Sequence, residues 1–316
     1  MRGRENIITM NYDIVTRHPQ NPLLTAAQLG HLPGGCNSVF NSAVFRYGDG
    51  YKAILRVEQR SGLQSLRLAD SADGLHFTVH PEFLLTPETE EQKLYEEAIY
   101  DPRVTFLEGK YYICYAAESR FGCQVGLAAT TDFKTFERFG CIAETENRNL
   151  VLFPEKINGK YYRLDRPFQD NSGNIWLCES PDLIHWGRPR CILESRKFHW
   201  DRGKIGAGAP PIRTDEGWLV IYHGTTPLCN GMIYRIGVAL LDLERPWIVR
   251  ARAKAYLMSP DAPYERVGDC PNVCFINAAI PDFDRDEMRL YYAGADQVLC
   301  LATCRISELI EFAKNA

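Results

Sequence analysis

The chain has 316 residues, 45% of them hydrophobic and 24% charged, with a net charge of −4. That is the composition of a soluble globular protein with ample apolar material for a large core. It offers no general attraction to nucleic acid or to a membrane surface. No apolar run approaches the ~20 residues that a membrane span needs, and Met1-Arg2-Gly3-Arg4-Glu5-Asn6 is not followed by the apolar stretch of a secretory signal. The cysteines number eleven, an odd count. Cys114 and Cys300 sit inside strand-like runs, where cysteine behaves as a small buried hydrophobe in a reducing compartment. Cys270-x3-Cys274 and Cys300-x3-Cys304 have the wrong spacing for a zinc knuckle, so no metal is expected. The compartment expected is the cytoplasm.

Taken in order, the chain repeats one unit at a period of about 50–60 residues, the signature of a repeat architecture. Each unit has a first strand, a turn, an aromatic-rich second strand, a third strand and a closing motif. The second strands are Tyr51–Arg56, Lys110–Tyr115, Lys160–Leu164, Trp218–His223 and Met288–Tyr292. Gly50, Gly109, Gly159 and Gly217 precede the first four, and Asp284-Arg285-Asp286-Glu287 precedes the fifth. The third strands are Leu66–Ala69, Val125–Ala128, Ile175–Cys178, Ile236–Ala239 and Leu299–Ala302. After three of these comes a shared turn: Ser71-x-Asp73, Thr130-x-Asp132 and Ser180-x-Asp182, each followed four residues later by an aromatic, Phe77, Phe136 and Trp186. Asp242 and Trp247 form a looser version. Such Ser and Asp side chains close turns on neighbouring backbone amides. The last segment, Ile306–Lys314, has apolar residues at helical spacing and predicts a short C-terminal helix. Five short antiparallel sheets around an axis make an all-β, five-bladed β-propeller. Residues 1–316 read as one catalytic domain, with 1–20 as an N-terminal extension. A β-sandwich is the competing fold.

In a propeller the innermost strands line a central funnel, the natural place for a ligand. Blade one brings Asn41, Ser42 and Arg56 there, and blade two brings Asp101 and Arg103. Blade three brings Asn147, Arg148, Asn149 and Arg166. Blade four brings Lys204, His223 and Tyr234, and blade five Asp269, Asn272, Phe275 and Asp296. Asp101 stands at the head of the apolar run Val104-Thr105-Phe106-Leu107, and Pro102 is expected to hold it in the extended region. Arg148, Arg166, Lys204 and His223 are potential cations that would repel one another unless an anion lay between them. Arginine matches phosphate oxygens bidentately and lysine adds a point charge. Carboxylates are sparser. An inverting hydrolase needs a second carboxylate roughly 6.5–9.5 Å from the acid to activate water, whereas phosphate is already an anionic nucleophile. One acid beside a basic cluster therefore favours phosphorolysis. A hydrolase using Asp101 with Asp296 or Asp269, and a non-catalytic sugar-binding propeller, are the alternatives.

Several motifs then carry a resemblance. Phe40-Asn41-Ser42-Ala43-Val44, Tyr100-Asp101-Pro102-Arg103-Val104, Lys204-Ile205-Gly206-Ala207-Gly208, Ile221-Tyr222-His223-Gly224, Pro271-Asn272-Val273 and Tyr291-Tyr292-Ala293-Gly294-Ala295-Asp296 are among them. Across Asn21 to Phe312 the chain resembles the β-mannoside phosphorylases of glycoside hydrolase family 130. The resemblance implies inverting phosphorolysis of a non-reducing-end β-mannoside, giving α-mannose 1-phosphate and a shortened sugar. It implies no cofactor, with inorganic phosphate as co-substrate. Asp101 would be the general acid, acting through the 3-hydroxyl of the bound mannosyl unit. Arg148, Asn149, Arg166, Lys204, His223 and Tyr234 fall on phosphate-binding positions. Asn41, Ser42, Arg56 and Asp296 fall on positions that hold the mannosyl ring, Tyr100 joins the substrate-binding set, and Phe275 shapes the cleft. Members of that family often form homo-oligomers. Two stretches depart from the manno-oligosaccharide branch. That branch has His-Gly-Pro-Thr where this chain reads Ser119-Arg120-Phe121-Gly122-Cys123, and a longer His-bearing loop where this chain has Phe168–Gly173. Both border the leaving sugar, so the expected substrate is either a β-1,4- or a β-1,2-linked mannoside.

Overall fold

The computed structural model describes residues 11–169 and 172–316; the N-terminal hexapeptide Met1–Asn6, and residues 170 and 171 of the short loop, lie outside them. Five antiparallel sheets succeed one another along the chain. Blade one is Ser38–Tyr47, Gly50–Glu58, Gln64–Ser71 and Thr78–Phe83; blade two is Ala98–Leu107, Lys110–Ser119, Gly122–Thr130 and Glu137–Cys141. Blade three is Asn147–Leu152, Tyr161–Gln169, Ile175–Ser180 and Gly187–Leu193. Blade four has a divided inner strand, Ile205–Ala207 and Ile212–Thr214, then Gly217–Leu228, Gly231–Leu241 and Val249–Arg252. Blade five is Cys274–Asp282, Glu287–Gly294 and Val298–Arg305, and its outer strand is Thr16–Arg17 from the other end of the chain. The five-bladed propeller expected from the repeat is therefore the fold. The helix Ile306–Asn315 buries Ile306, Leu309, Phe312 and Ala313 between blades four and five. Three shorter helices, Ala26–Leu29, Glu90–Tyr95 and Pro263–Arg266, sit in connections where the repeat gives no helical signal. No helix among the described residues is long and apolar enough to cross a membrane.

The ring is held by apolar contacts between adjacent blades. Phe45, Ile54 and Leu66 of blade one pack on Ile113, Tyr115 and Ala128 of blade two. Tyr112 and Leu127 of blade two meet Leu150 and Leu152 of blade three. Val151, Phe153 and Leu164 meet Trp218, Val220 and Tyr222 of blade four. The seams between blades four and five, and between five and one, repeat the pattern. Because each sheet has a blade on either side, its middle strand is buried on both faces, which is why Trp218-Leu219-Val220-Ile221-Tyr222 reads as a continuous apolar run.

The closing turns form as their sequence suggests. Asp73, Asp132 and Asp182 each accept the backbone N–H groups two and three residues on through Oδ1. The preceding Ser71, Thr130 and Ser180 hydroxyls accept the N–H three residues on. Asp242 makes the same pair of bonds in blade four. Donated amides favour the ionised carboxylate, so Asp73 and Asp182 lie well below the usual carboxylate range, chiefly through the amides of His76 and His185.

One irregularity positions the site. The inner-strand ladders of blades one, two and three each slip by a residue, between Phe40 and Ala43, Tyr100 and Arg103, and Arg148 and Val151. At each bulge one residue takes a left-handed backbone: Asn41 at φ +43°, Asp101 at φ +53° and Asn149 at φ +57°. Asn and Asp are the side chains that best tolerate this region. Blade five slips at Asn277, and blade four breaks its inner strand at Gly208-Ala209-Pro210-Pro211. Two expectations for Asp101 are corrected here. It lies inside the strand Ala98–Leu107 rather than at its head, and its backbone is left-handed rather than extended. The bulge outweighs the preference that Pro102 imposes, because Arg103, Asn41 and Arg56 hold Asp101 from three sides.

Candidate active site

The bulges bring Asn41, Asp101 and Asn149 together at one site on the inner strands. A cavity of about 460 Å³ opens there, within the range of small-molecule sites. Of the residues assigned to the site by the resemblance, all but Ser42 and His223 line it. Gln64, Ala98, Glu118 and Val273 also line it and were not anticipated.

Asp101 Oδ1 accepts hydrogen bonds from Asn41 Nδ2 at 3.0 Å and from Arg56 Nη1 at 2.5 Å. Both bonds fall on Oδ1, and no hydrogen bond from the described residues reaches Oδ2. The Arg56 guanidinium is clamped between the rings of Phe40 and Tyr100, at 4.2 and 4.4 Å from their centroids, and its Nε donates to Gln64 Oε1. Ser42 stands behind this arrangement: its hydroxyl donates to the Phe40 carbonyl and accepts the Arg56 amide, so it braces the bulge. Beside this arrangement the Tyr100 hydroxyl donates to Glu118, whose carboxylate is 3.8 Å from Arg148. Asp296 is pushed up to about 6, first by burial and then by the negative charge of Asp101. Asp269 is farther out, accepting Asn37 Nδ2 at an exposed position. Asn272 accepts a bond from Arg266 and is not part of the cavity lining.

The basic residues gather on the side of blades three and four. Arg148, Arg166 and Lys204 line the cavity with Asn149 and Tyr234. Burial pushes Lys204 down to about 8, reinforced by Arg166 and Arg148. Burial also lowers Arg166 to about 10, with Arg148 and Arg103 adding to the effect and Tyr234 opposing it. Arg148 itself lies within 3.8–4.0 Å of the Glu118 and Glu146 carboxylates and is held above its ordinary value, whereas Lys204 and Arg166 are destabilised side by side, which is the electrostatic condition for binding an anion. The side chain of Tyr234 lies under Lys204, whose Nζ is 5.6 Å from the ring centroid.

The expectation that His223 is a fourth cation is corrected. It is wholly buried, and burial together with Arg166, Arg103 and Lys204 depresses its pKa well below the ordinary 6.5. It is neutral, its ring tilted by 36° against that of Phe275 with the centroids 4.4 Å apart. Its Nε2 lies 3.3 Å from Arg166 Nη1 and 3.5 Å from Asn149 Nδ2, both donors, so Nε2 is the acceptor and Nδ1 carries the proton. His223 thus acts behind the cavity wall, holding two residues that face inward. Gly206 makes room for this contact. A Cβ there would lie 2.5 Å from Asn149 Nδ2 and 2.7 Å from His223 Cε1.

With this geometry in view, known proteins supply the relationship. The family profile described as β-1,4-mannooligosaccharide phosphorylase, glycoside hydrolase family 130, matches residues 13–315. A β-1,4-mannooligosaccharide phosphorylase of Ruminococcus albus is 35% identical over 314 residues, covering 96% of this chain and 92% of the relative. A β-1,2-mannobiose phosphorylase of Listeria innocua is 40% identical over 252 residues, 79% of this chain and 69% of the relative. The solved structure of a Listeria innocua β-1,2-mannobiose phosphorylase bound to β-1,2-mannobiose superposes with a TM-score of 0.86 at 32% identity, over 95% of this chain and 99% of that one. The chain belongs to glycoside hydrolase family 130.

Proposed function

We propose that this enzyme transfers the non-reducing-end mannosyl unit of a β-1,4- or β-1,2-linked manno-oligosaccharide to inorganic phosphate with inversion, releasing α-D-mannose 1-phosphate and a shortened sugar. The observation that carries the reading is that Arg148, Arg166 and Lys204 line the same cavity as an acid held by Asn41 and Arg56. In this reading Asp101 donates a proton toward the leaving oxygen as the C1–O bond breaks. A phosphate oxygen, held by Arg148, Asn149, Arg166, Lys204 and Tyr234, forms the new bond to C1 from the other face. Hydrogenphosphate brings a proton of its own, so the acid is restored and the cycle needs no external acid. Asn41, Arg56 and Asp296 take the mannosyl hydroxyls, and Tyr100 and Phe275 supply aromatic surface. His223 contributes through Arg166 and Asn149, and Ser42 through Arg56. A phosphate co-substrate and cysteines that are all free suit a reducing, cytoplasmic setting.

The relatives divide between the two linkages, and the reading covers both. The test is incubation with β-1,4- and β-1,2-mannobiose, with and without phosphate. Mannose 1-phosphate should form only with phosphate present. Free mannose released equally in its absence would refute the proposal in favour of hydrolysis. Running the reaction backward, from α-mannose 1-phosphate with a panel of acceptors, and analysing the product linkage separates β-1,4 from β-1,2.

A further inference from the structure

Arg103 lies beneath the floor of the cavity and does not line it. Its guanidinium, 2% exposed, makes three hydrogen bonds: Nε to the Gly208 carbonyl at 2.9 Å, Nη1 to the Asp101 carbonyl at 3.0 Å, and Nη2 to Asn149 Oδ1 at 3.1 Å. These acceptors come from blades two, three and four. All are neutral oxygens, so a charged group is buried here without a carboxylate neutralising it directly. Burying such a charge is costly unless something else requires it.

The three contacts divide usefully. The bond to the Asp101 carbonyl holds the left-handed backbone of the acid. The bond to Asn149 Oδ1 settles the orientation of that amide, because an oxygen that accepts from Arg103 forces Nδ2 toward His223 and the basic wall. The bond to Gly208 holds the residue that follows the short inner strand Ile205–Ala207, and Lys204 immediately precedes that strand. One rigid, planar fork therefore sets the acid and part of the anion cradle from a single point.

We propose that Arg103 is a positioning residue that couples the acid to the phosphate site, and that its buried positive charge adds to phosphate affinity from below. This rests on the phosphorolytic reading. A lysine in its place would keep the charge but lose the fork, since an ammonium is a point donor without planar geometry. Charge and geometry can therefore be separated by substitution.

The experiment compares wild type, Arg103→Met and Arg103→Lys for kcat, KM for phosphate and KM for the β-mannoside. The wild-type phosphate dependence is measured first. If it is absent, the phosphorolytic reading fails and Arg103 is not at issue. Arg103→Met should raise KM for phosphate by about tenfold or more, lower kcat, and change KM for the mannoside far less, as expected on losing hydrogen bonds from a charged group. Arg103→Lys should recover much of the phosphate KM while kcat stays low. A purely structural arginine would reduce the active fraction and leave both KM values unchanged, and that result overturns the proposal. So does an equal rise in both KM values. If Arg103→Met does not fold, Arg103→Lys decides alone: wild-type kcat refutes positioning, and low kcat with near-wild-type phosphate KM supports it.

Discussion

At the scale of single residues, the site works by burial and fixed charge. In the proposed mechanism Asp101 is the acid, held through one carboxylate oxygen, so Asp101→Asn should keep the fold and lose turnover by about 10²–10⁴-fold, the usual worth of general acid catalysis. Steady-state phosphorolysis checks this, with mannoside binding by calorimetry as the control. Lys204 carries a pH prediction. Its pKa is lowered to about 8, so the ammonium is present below that pH and is lost as pH rises through it. KM for phosphate should therefore climb on the alkaline side of about pH 8. Lys204→Arg should move that limb to higher pH, because guanidinium does not deprotonate in this range. A KM profile for phosphate from neutral to alkaline pH reads it directly. Asp101 and the basic residues were legible in the sequence because matched positions in repeated units point to a shared axis. His223 was legible as a position but not as a charge state, which depends first on its burial and then on Arg166, Arg103 and Lys204 around it. Glu118 and Gln64 were missed because each lies at the end of a strand whose reach toward the cavity depends on how long the hairpin is.

At the scale of elements, the inner strands matter most, and they are where a period-two reading fails. Alternation identifies a strand, but a bulge shifts the alternation by one residue and rotates every side chain beyond it. Asp101-Pro102 reads as extended from local preference alone. Only the ladder with Lys110–Ser119 shows the extra residue and the positive φ. The shared signal was present in hindsight, as an Asn or Asp at the same place in three inner strands, Asn41, Asp101 and Asn149. The second and third strands were easier to read, since glycine turns and continuous apolar runs mark them without reference to tertiary context. The close fit between the inner strands of blades three and four gives a further expectation. Gly206→Ala would drive a methyl group into Asn149 and His223. Overpacking of this kind costs about 1–3 kcal/mol, and the affected groups belong to the proposed anion cradle. Phosphate KM should rise by about fivefold or more for a cost at that level, with a smaller change in KM for the mannoside. Kinetics with each substrate varied in turn checks the asymmetry.

At the scale of the whole molecule, the ring is closed by residues from both ends of the chain. Thr16–Arg17 pairs with Val298–Arg305, and Arg17 forms an ion pair with Glu265 at 2.7 Å. Glu265 is fully buried and also accepts bonds from Tyr292 and from the Asp261 and Ala262 amides. Burial pushes this carboxyl up, but Arg17, the Asp261 amide and Tyr292 outweigh burial and hold it below its ordinary value of 4.5. A depressed carboxyl contributes stability above its unfolded value, and that contribution is lost as pH falls through the folded value. Arg17→Ala leaves the buried carboxylate unpaired and should cost about 3 kcal/mol, the lower end for breaking such a pair because Arg17 is partly exposed. Denaturant unfolding at neutral pH should show the loss. Repeating it at acid pH should show the gap between mutant and wild type narrowing, as the carboxyl protonates in both.

The pairing of Thr16–Arg17 with the last strand also bears on how the molecule is made. A ribosome releases the outer strand of blade five long before the rest of that blade exists. Four blades can stack while the ring stays open, and the earliest strand must wait, unpaired, for the latest. The funnel is assembled only when the two ends meet, so a chain stalled before its final strand would carry Asp101 and the basic wall with no finished enclosure around them.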